Sequence, residues 1–211
     1  MDSYYAIALQ TTVHAVNGCS TRDEARSLMD STLERLKVEI FAAKKFVGSD
    51  VRLVVLPEYF LTAYPMGDTI KGWADKAALL EDGPEFAKLG EIAKDNDIFI
   101  SGNAYEVDAH FDELYFQTSF IIDPKGDVIL RYRRLNSMYS PTPHDVWDKY
   151  LDIYGIEGVF PVADTEIGRL ACIASEEILY PEIARMFFIR GAEVGLHSTG
   201  EIGSTIETPK S

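Results

Sequence analysis

Cysteine is scarce in this chain, basic residues are outnumbered, and no apolar run is long enough to cross a bilayer. Each shortage removes a class of explanation. Two cysteines in 211 residues, Cys19 and Cys172, cannot build a disulfide framework and are not spaced like zinc ligands, which points to a reducing compartment. Lys and Arg number 20 against 34 Asp and Glu, a formal net charge of −14. That balance repels phosphate backbones and anionic lipid and leaves no basic stripe for nucleic acid. A membrane helix needs about 20 consecutive apolar residues, and the stretch Met1-Asp2-Ser3-Tyr4-Tyr5 puts an acid where a secretory leader carries a basic region. Also missing are a zinc-binding His-Glu-x-x-His phrase, a P-loop, a dinucleotide fingerprint and the Gly-x-Ser-x-Gly elbow of serine hydrolases. The expectation is a cytoplasmic protein that meets a small molecule or another protein, with no nucleic acid and no membrane.

What is present is ordinary globular material, 46% hydrophobic and 26% charged, without repeats or low-complexity tracts. One domain spanning residues 1–211 is expected. Tyr5 to Leu9 reads as a short strand. Thr21 and Glu24 form a Thr-x-x-Glu capping box ahead of a long helix whose Ala25, Leu28, Met29, Leu33, Leu36 and Ile40 keep helical spacing. Val51 to Leu56 is continuously apolar, as in a strand covered on both faces. Pro84 opens a second helix to about Lys94, and Ile98 to Ile100 returns as a strand. Strands Tyr115 to Ile122 and Val128 to Tyr132 flank the turn Asp123-Pro124-Lys125-Gly126-Asp127. Asn136 to Tyr154 reads as a long loop or short-helix excursion across the mouth of a site. Gly168 to Ala174 is a second covered strand, Pro181 to Arg190 a helix and Glu193 to His197 a strand, before a polar tail from Ser198. Alternating strands and helices with one hairpin give a layered α/β sandwich.

Chemistry-bearing residues fall at strand ends, where α/β scaffolds mount their sites. Glu58 follows Val51 to Leu56, Tyr132-Arg133-Arg134 closes the hairpin, and Ala174-Ser175-Glu176-Glu177 follows Leu170 to Ile173. Each has a plainer reading. An acid after a strand is ordinarily a solvated loop residue, and a serine before two acids is an ordinary helix cap. Arg134 could be a surface arginine beside Arg131 and Arg133. Alternation instead points Arg131 and Arg133 to one side and Tyr132 and Arg134 to the other. His197 could line a pocket or be a satisfied structural histidine. Tyr59, Phe60, Tyr64, Tyr139 and Trp147 could wall an apolar cleft, although aromatics this frequent mostly serve a core.

The phrases Val54-Val55-Leu56-Pro57-Glu58, Ser101-Gly102-Asn103-Ala104-Tyr105-Glu106, Asp123-Pro124-Lys125-Gly126, Arg131-Tyr132-Arg133-Arg134 and Tyr180-Pro181-Glu182 occur in one order. Together, from the first strand to about Glu201, they resemble the nitrilase superfamily of carbon-nitrogen hydrolases. The resemblance implies an α-β-β-α sandwich that brings together a Glu general base, a Lys and a Cys nucleophile. It also implies hydrolysis of amides, carbamoyl amines or nitriles through a thioester, with no metal or organic cofactor. Glu58 falls at the position of the general base. Arg134 stands where the family has its Lys. Counting forward from Gly168 and back from Tyr180-Pro181-Glu182 puts Ser175 at the nucleophile position and leaves Cys172 upstream in the strand. For the family's second, structural Glu, the nearby loop offers only His144 or Asp145. Family members generally continue with another helix and further strands, so the implied sandwich is shortened at its C-terminal end. An uncovered face would be an association surface. Family members commonly pair through the helix that corresponds to Pro181 to Arg190, where Met186, Phe187 and Phe188 are unusually apolar, so a homo-oligomer or a partner chain completing the fold is expected.

The departures from the family pattern have physical consequences. A cysteine thiolate is accessible near neutral pH, whereas a serine hydroxyl must lose its proton to a base during attack and yields an ester. Arginine supplies a fork of donors to an oxyanion but stays charged and cannot relay a proton. Ser175 is either the native residue or a deliberate cysteine replacement, and the second departure at Arg134 favours the native residue. The expected function is amidase-type hydrolysis of a small amide, carbamoyl amine or nitrile using Glu58, Arg134 and Ser175; the alternative is a catalytically silent homologue that keeps the pocket for a ligand or partner chain.

Overall fold

The structure, a computed structural model, describes residues 3–200. Most of the polar tail read from Ser198 onward lies outside them. A larger sheet holds β1 (Tyr5–Ala8), β2 (Val51–Val55), β3 (Leu79–Leu80), β4 (Phe99–Val107), β5 (Phe116–Ile122) and β6 (Val128–Arg133). Its order is β1-β2-β4-β5-β6, with β3 pairing β4. β1, β2 and β4 run parallel, and β5 and β6 turn back antiparallel. A smaller sheet orders β7 (Ala163–Thr165), β8 (Gly168–Ala174) and β9 (Val194–Ser198), with β8 and β9 parallel.

Strand alternation divides the core into two layers. Val54, Ile100, Phe120 and Ile122 pack against α1 (Arg22–Val47), α2 (Ile70–Ala77) and α3 (Pro84–Asn96). Leu53, Phe99, Ile121 and Tyr132 point the other way, onto Leu170, Cys172 and the helix α5 (Pro181–Ile189), which lies against β8. The result is an α-β-β-α sandwich, as the motif phrases implied. No helix among the described residues is long and apolar enough to cross a membrane.

Local chemistry explains the elements. Thr21 caps α1 by accepting the Glu24 N–H at 3.2 Å, and the Glu24 carboxylate reaches back to the Ser20 N–H at 2.7 Å. That reciprocal arrangement satisfies N–H groups a helix start leaves free. In the hairpin turn, Asp123 Oδ1 accepts from the N–H groups of Lys125 and Asp127, and Gly126 has φ +95°. The turn also receives α3, because a Cβ on Gly90 would come within 2.6 Å of the Gly126 carbonyl oxygen.

Two expectations need correction. β4 runs to Val107, well past Ile100, because its polar residues are buried and partnered rather than looped out. Asn103 donates to Ser119 Oγ at 2.9 Å and Glu106 receives Arg131 Nε at 2.8 Å. The excursion after Asn136 does contain a 3-10 turn, Pro143–Val146, and a short helix, α4 (Trp147–Tyr154). That helix packs Tyr150 onto Phe111 and Phe116 rather than across a site mouth.

Candidate functional site

Glu58, Arg134 and Ser175 leave the ends of β2, β6 and β8, and the fold draws them into one polar network. Glu58 is only 3% exposed. Its Oε1 accepts from Gln117 Nε2 at 2.6 Å and its Oε2 from the Gly200 N–H at 3.1 Å. Arg134, 4% exposed, brings Nη1 to 3.8 Å from Glu58 Oε1. The same Nη1 donates to Gln117 Oε1 at 2.8 Å, and Nε donates to the Asn136 carbonyl at 2.6 Å. Arg134 Nη2 lies 2.6 Å from Glu176 Oε1 but without the alignment of a hydrogen bond. Ser175 joins through the same carboxylate, its Oγ donating to Glu176 Oε2 at 2.5 Å.

The two acids after Ser175 divide the labour. Glu177 is buried and anchors the exit of β6, accepting from Tyr132 Oη at 2.8 Å, the Leu135 N–H at 2.9 Å and the Asn136 N–H at 3.0 Å. Burial raises its carboxyl above the usual range despite those donors. Glu176 keeps 44% of its side chain exposed. Partial burial would raise its carboxyl, but the Ser175 hydroxyl, its own backbone N–H and the Arg134 guanidinium outweigh that and hold it below the usual range. For Arg134, the Glu176 carboxylate similarly overcomes desolvation and raises its pKa.

Strain marks the same place. Tyr59 has φ +53° and Ser175 φ +52°, left-handed conformations that non-glycine residues adopt at a cost of roughly 1–3 kcal/mol and that concentrate at functional sites. His197 Nε2 sits 2.8 Å from the Ser175 carbonyl oxygen and so engages that backbone, not the hydroxyl. Glu58 and His197 also border a cleft of about 510 Å³, with Leu9, Gln10, Thr11 and Gly200 on its walls.

Cys172 is no alternative nucleophile. It is fully buried between the sheets, 3.8 Å from Ser101 Oγ, and desolvation pushes its thiol up to about 12. The loop alternatives for the family's structural Glu also fail. Asp145 accepts from the Thr142 N–H at 2.7 Å, and His144 stacks on Trp147, both being exposed. Of the aromatics, Phe60 is core and Tyr139 is 82% exposed. Tyr59 borders the network, stacked 5.2 Å over Tyr105 with its hydroxyl 3.5 Å from Gln117 Oε1. Gln117 itself, the hub between Glu58 and Arg134, escaped the sequence reading. Its signal was the polar run Gln117-Thr118-Ser119 at the start of a strand that is buried throughout.

Arg133 faces the opposite side of β6. Its Nη2 lies 2.6 Å from Asp108 Oδ2, 3.1 Å from Glu81 Oε1 and 3.6 Å from Glu106 Oε1. Its guanidinium carbon sits 5.1, 5.7 and 4.6 Å from the ring centres of Phe116, Tyr150 and Tyr154. No group of three or more His, Cys, Asp or Glu side chains among the described residues is placed to hold a metal ion.

An α-β-β-α sandwich with a buried acid and a buried cation at the ends of β2 and β6 is a recognisable scaffold, and comparison with known proteins says which. The chain belongs to the carbon-nitrogen hydrolase family, whose profile matches residues 8–211. It is 28% identical over 165 residues to nitrilase homolog 2 of Dictyostelium discoideum, covering 78% of this chain and 48% of that protein. It is 28% identical over 179 residues to the formamidase of Bacillus thuringiensis (strain Al Hakam), covering 84% of this chain and 49% of that one. The chain thus spans about half the length of these curated relatives. Among solved structures it resembles Saccharomyces cerevisiae Nit3, of the nitrilase superfamily, with TM-score 0.64 and 20% identity, covering 90% of this chain and 63% of that one. The sandwich is of the nitrilase type.

Proposed function

We propose that this carbon-nitrogen hydrolase-family chain keeps the ligand pocket of the family and has lost its thiol chemistry, so that it binds a small amide- or acyl-type molecule without enzyme-like turnover. The carrying observation is the state of Ser175. Its hydroxyl is committed to Glu176 at 2.5 Å, a carboxylate whose lowered pKa makes it a weak base. Arg134 stays charged and relays no proton, and the thiol of Cys172 is sealed in the core. Binding, by contrast, needs only donors and acceptors: Glu58 borders the cleft, and Gln117 and Arg134 stand directly behind it. The names of the relatives, formamidase and nitrilase homolog, support a small carbon-nitrogen compound as the ligand class.

One observation favours the other reading, an amidase-type hydrolase in which Glu58 is the base, Arg134 the oxyanion-stabilising cation and Ser175 the attacking group. Arg134 touches both Glu58, at 3.8 Å, and the carboxylate that holds Ser175, so all three belong to one constellation. Calorimetric titration with formamide, propionamide, a carbamoyl amine and propionitrile, alongside ammonia release from the same panel, separates the two. We expect saturable binding with no ammonia above the blank, weaker binding in Glu58→Gln, and ammonia release once Ser175→Cys is combined with Arg134→Lys. Steady turnover by the unmodified protein that vanishes in Glu58→Gln replaces this reading with the hydrolase. Failure to bind any of the panel rejects both.

We further read residues 1–211 as one domain of a protein from a reducing compartment, the cytoplasm, associating through α5. Leu179, Tyr180, Phe188 and Ile189 there leave 48–75% of their surfaces in water, an apolar patch of the kind that partners cover. A sedimentation profile of a stable monomer removes the association.

A further inference from the structure

We infer that Arg134 is a carboxylate-exchange site: a small monocarboxylate enters by taking the place of Glu176 on the guanidinium, and the same movement releases the Ser175 hydroxyl. The inference rests on the ligand-pocket reading above and names the ligand class. Arg134 is almost fully buried, and two of its three nitrogens are held by fixed partners. Nη1 donates to Gln117, inside a buried strand, and Nε to the carbonyl of Asn136, whose own N–H is anchored by Glu177. Nη2 differs. Among the described residues its close neighbour is Glu176, at 2.6 Å but misaligned, so Nη2 counts as a buried donor without a proper acceptor.

A guanidinium fork is best satisfied by two parallel bonds to one carboxylate, and Glu176 gives only a skewed contact. Glu176 is also replaceable. Nearly half of its side chain is in water, and Glu177 next to it, not Glu176, ties the turn to β6, so rotation outward leaves the backbone in place. Charge favours exchange over addition. The chain carries a net −14 and Glu58 sits close by, so an added anion would be repelled, whereas one carboxylate replacing another leaves the charge at Arg134 unchanged. The tethered Glu176 competes as an intramolecular ligand, with an effective concentration on the order of millimolar for such short links, so a free carboxylate binds the unmodified protein weakly.

The test uses the whole chain, with propionate and propionamide as matched probes followed by calorimetry and by NMR shift titration, each variant being checked for folding by thermal melting. Glu176→Gln is expected to bind propionate about tenfold tighter than the unmodified protein, while propionamide affinity moves by less than about twofold. Glu182→Gln, which removes an exposed acid away from the network, should leave both unchanged. Arg134→Lys should abolish the gain given by Glu176→Gln. An unchanged or weaker propionate affinity in Glu176→Gln overturns the inference, as does an equal gain in Glu182→Gln. Propionamide binding with no propionate binding in either protein rejects the exchange and leaves the pocket reading standing. Binding of neither probe rejects both.

Discussion

Arg133 points from the end of β6 toward Asp108, Glu106 and Glu81 and is roofed by three aromatic rings. Arg134, one residue on, turns toward the smaller sheet and meets Gln117, Glu58 and Glu176. Both side chains are buried to within 4% of their surface. The difference lies in how many sealed carboxylates each one holds close. Around Arg133 two carboxylates, Asp108 and Glu106, are sealed and a third, Glu81, is 41% exposed, and burial raises the Glu106 carboxyl while Arg131 and Arg133 oppose it. Around Arg134 the acid on Nη2 is half in water. Arg133 thus keeps two sealed carboxylates even when Glu81 turns away, whereas among the described residues Nη2 of Arg134 meets only the half-exposed Glu176.

The sharpest way to break this comparison is to remove the Arg133 side chain. Arg133→Ala leaves Glu106 and Asp108 buried with less compensation, and we expect a loss of about 3–5 kcal/mol, read as a lowered midpoint in urea unfolding. Next in size is Glu177→Ala, which strips the acceptor from the Tyr132 hydroxyl and from two backbone N–H groups. We expect a loss of about 2–3 kcal/mol by the same measurement, and equal stability to the unmodified chain would remove Glu177 as the anchor of β6. Arg134→Gln should cost less, about 1–2 kcal/mol, because Glu58 keeps Gln117 and the Gly200 N–H. A cost equal to that of Arg133→Ala would erase the distinction between the two settings.

Smallest is Glu176→Gln, within about 0.5 kcal/mol at neutral pH, since the pair is half exposed and screened. Its signature is in acid. The folded Glu176 pKa lies below the unfolded value of about 4.3, so its contribution is present above that pH and is lost as pH falls through the lower folded value. Acid titration followed by circular dichroism should show a shallower low-pH decline in Glu176→Gln than in the unmodified protein. A parallel decline in the two would sever Glu176 from Arg134.

How much of this was legible in the sequence depends on the scale of the interaction. Strand and helix periods, the Thr21 box and the Asp123 turn are local, and they read correctly because each is decided within a few residues. Alternation likewise sent Arg131 and Arg133 one way and Arg134 the other. The polar half of β4 did not read as strand, because the partners that permit Asn103 and Glu106 to be buried lie on β5 and β6. Gln117 was missed for a related reason: an amide is silent until the acid and the cation it bridges are known to be adjacent. Likewise, the choice of His144 or Asp145 for a structural acid looked along the loop, whereas the carboxylate holding the exit of β6 is Glu177, from a different strand end.

The buried position of Cys172 has a practical side. Iodoacetamide, acrylamide and similar electrophiles find no reactive sulfur beside Glu58 in the folded chain, and the remaining thiol, Cys19, is only partly covered and packs against the helical layer of the core. Labelling of the intact protein therefore reports on the N-terminal loop, and labelling at Cys172 reports that the two sheets have parted.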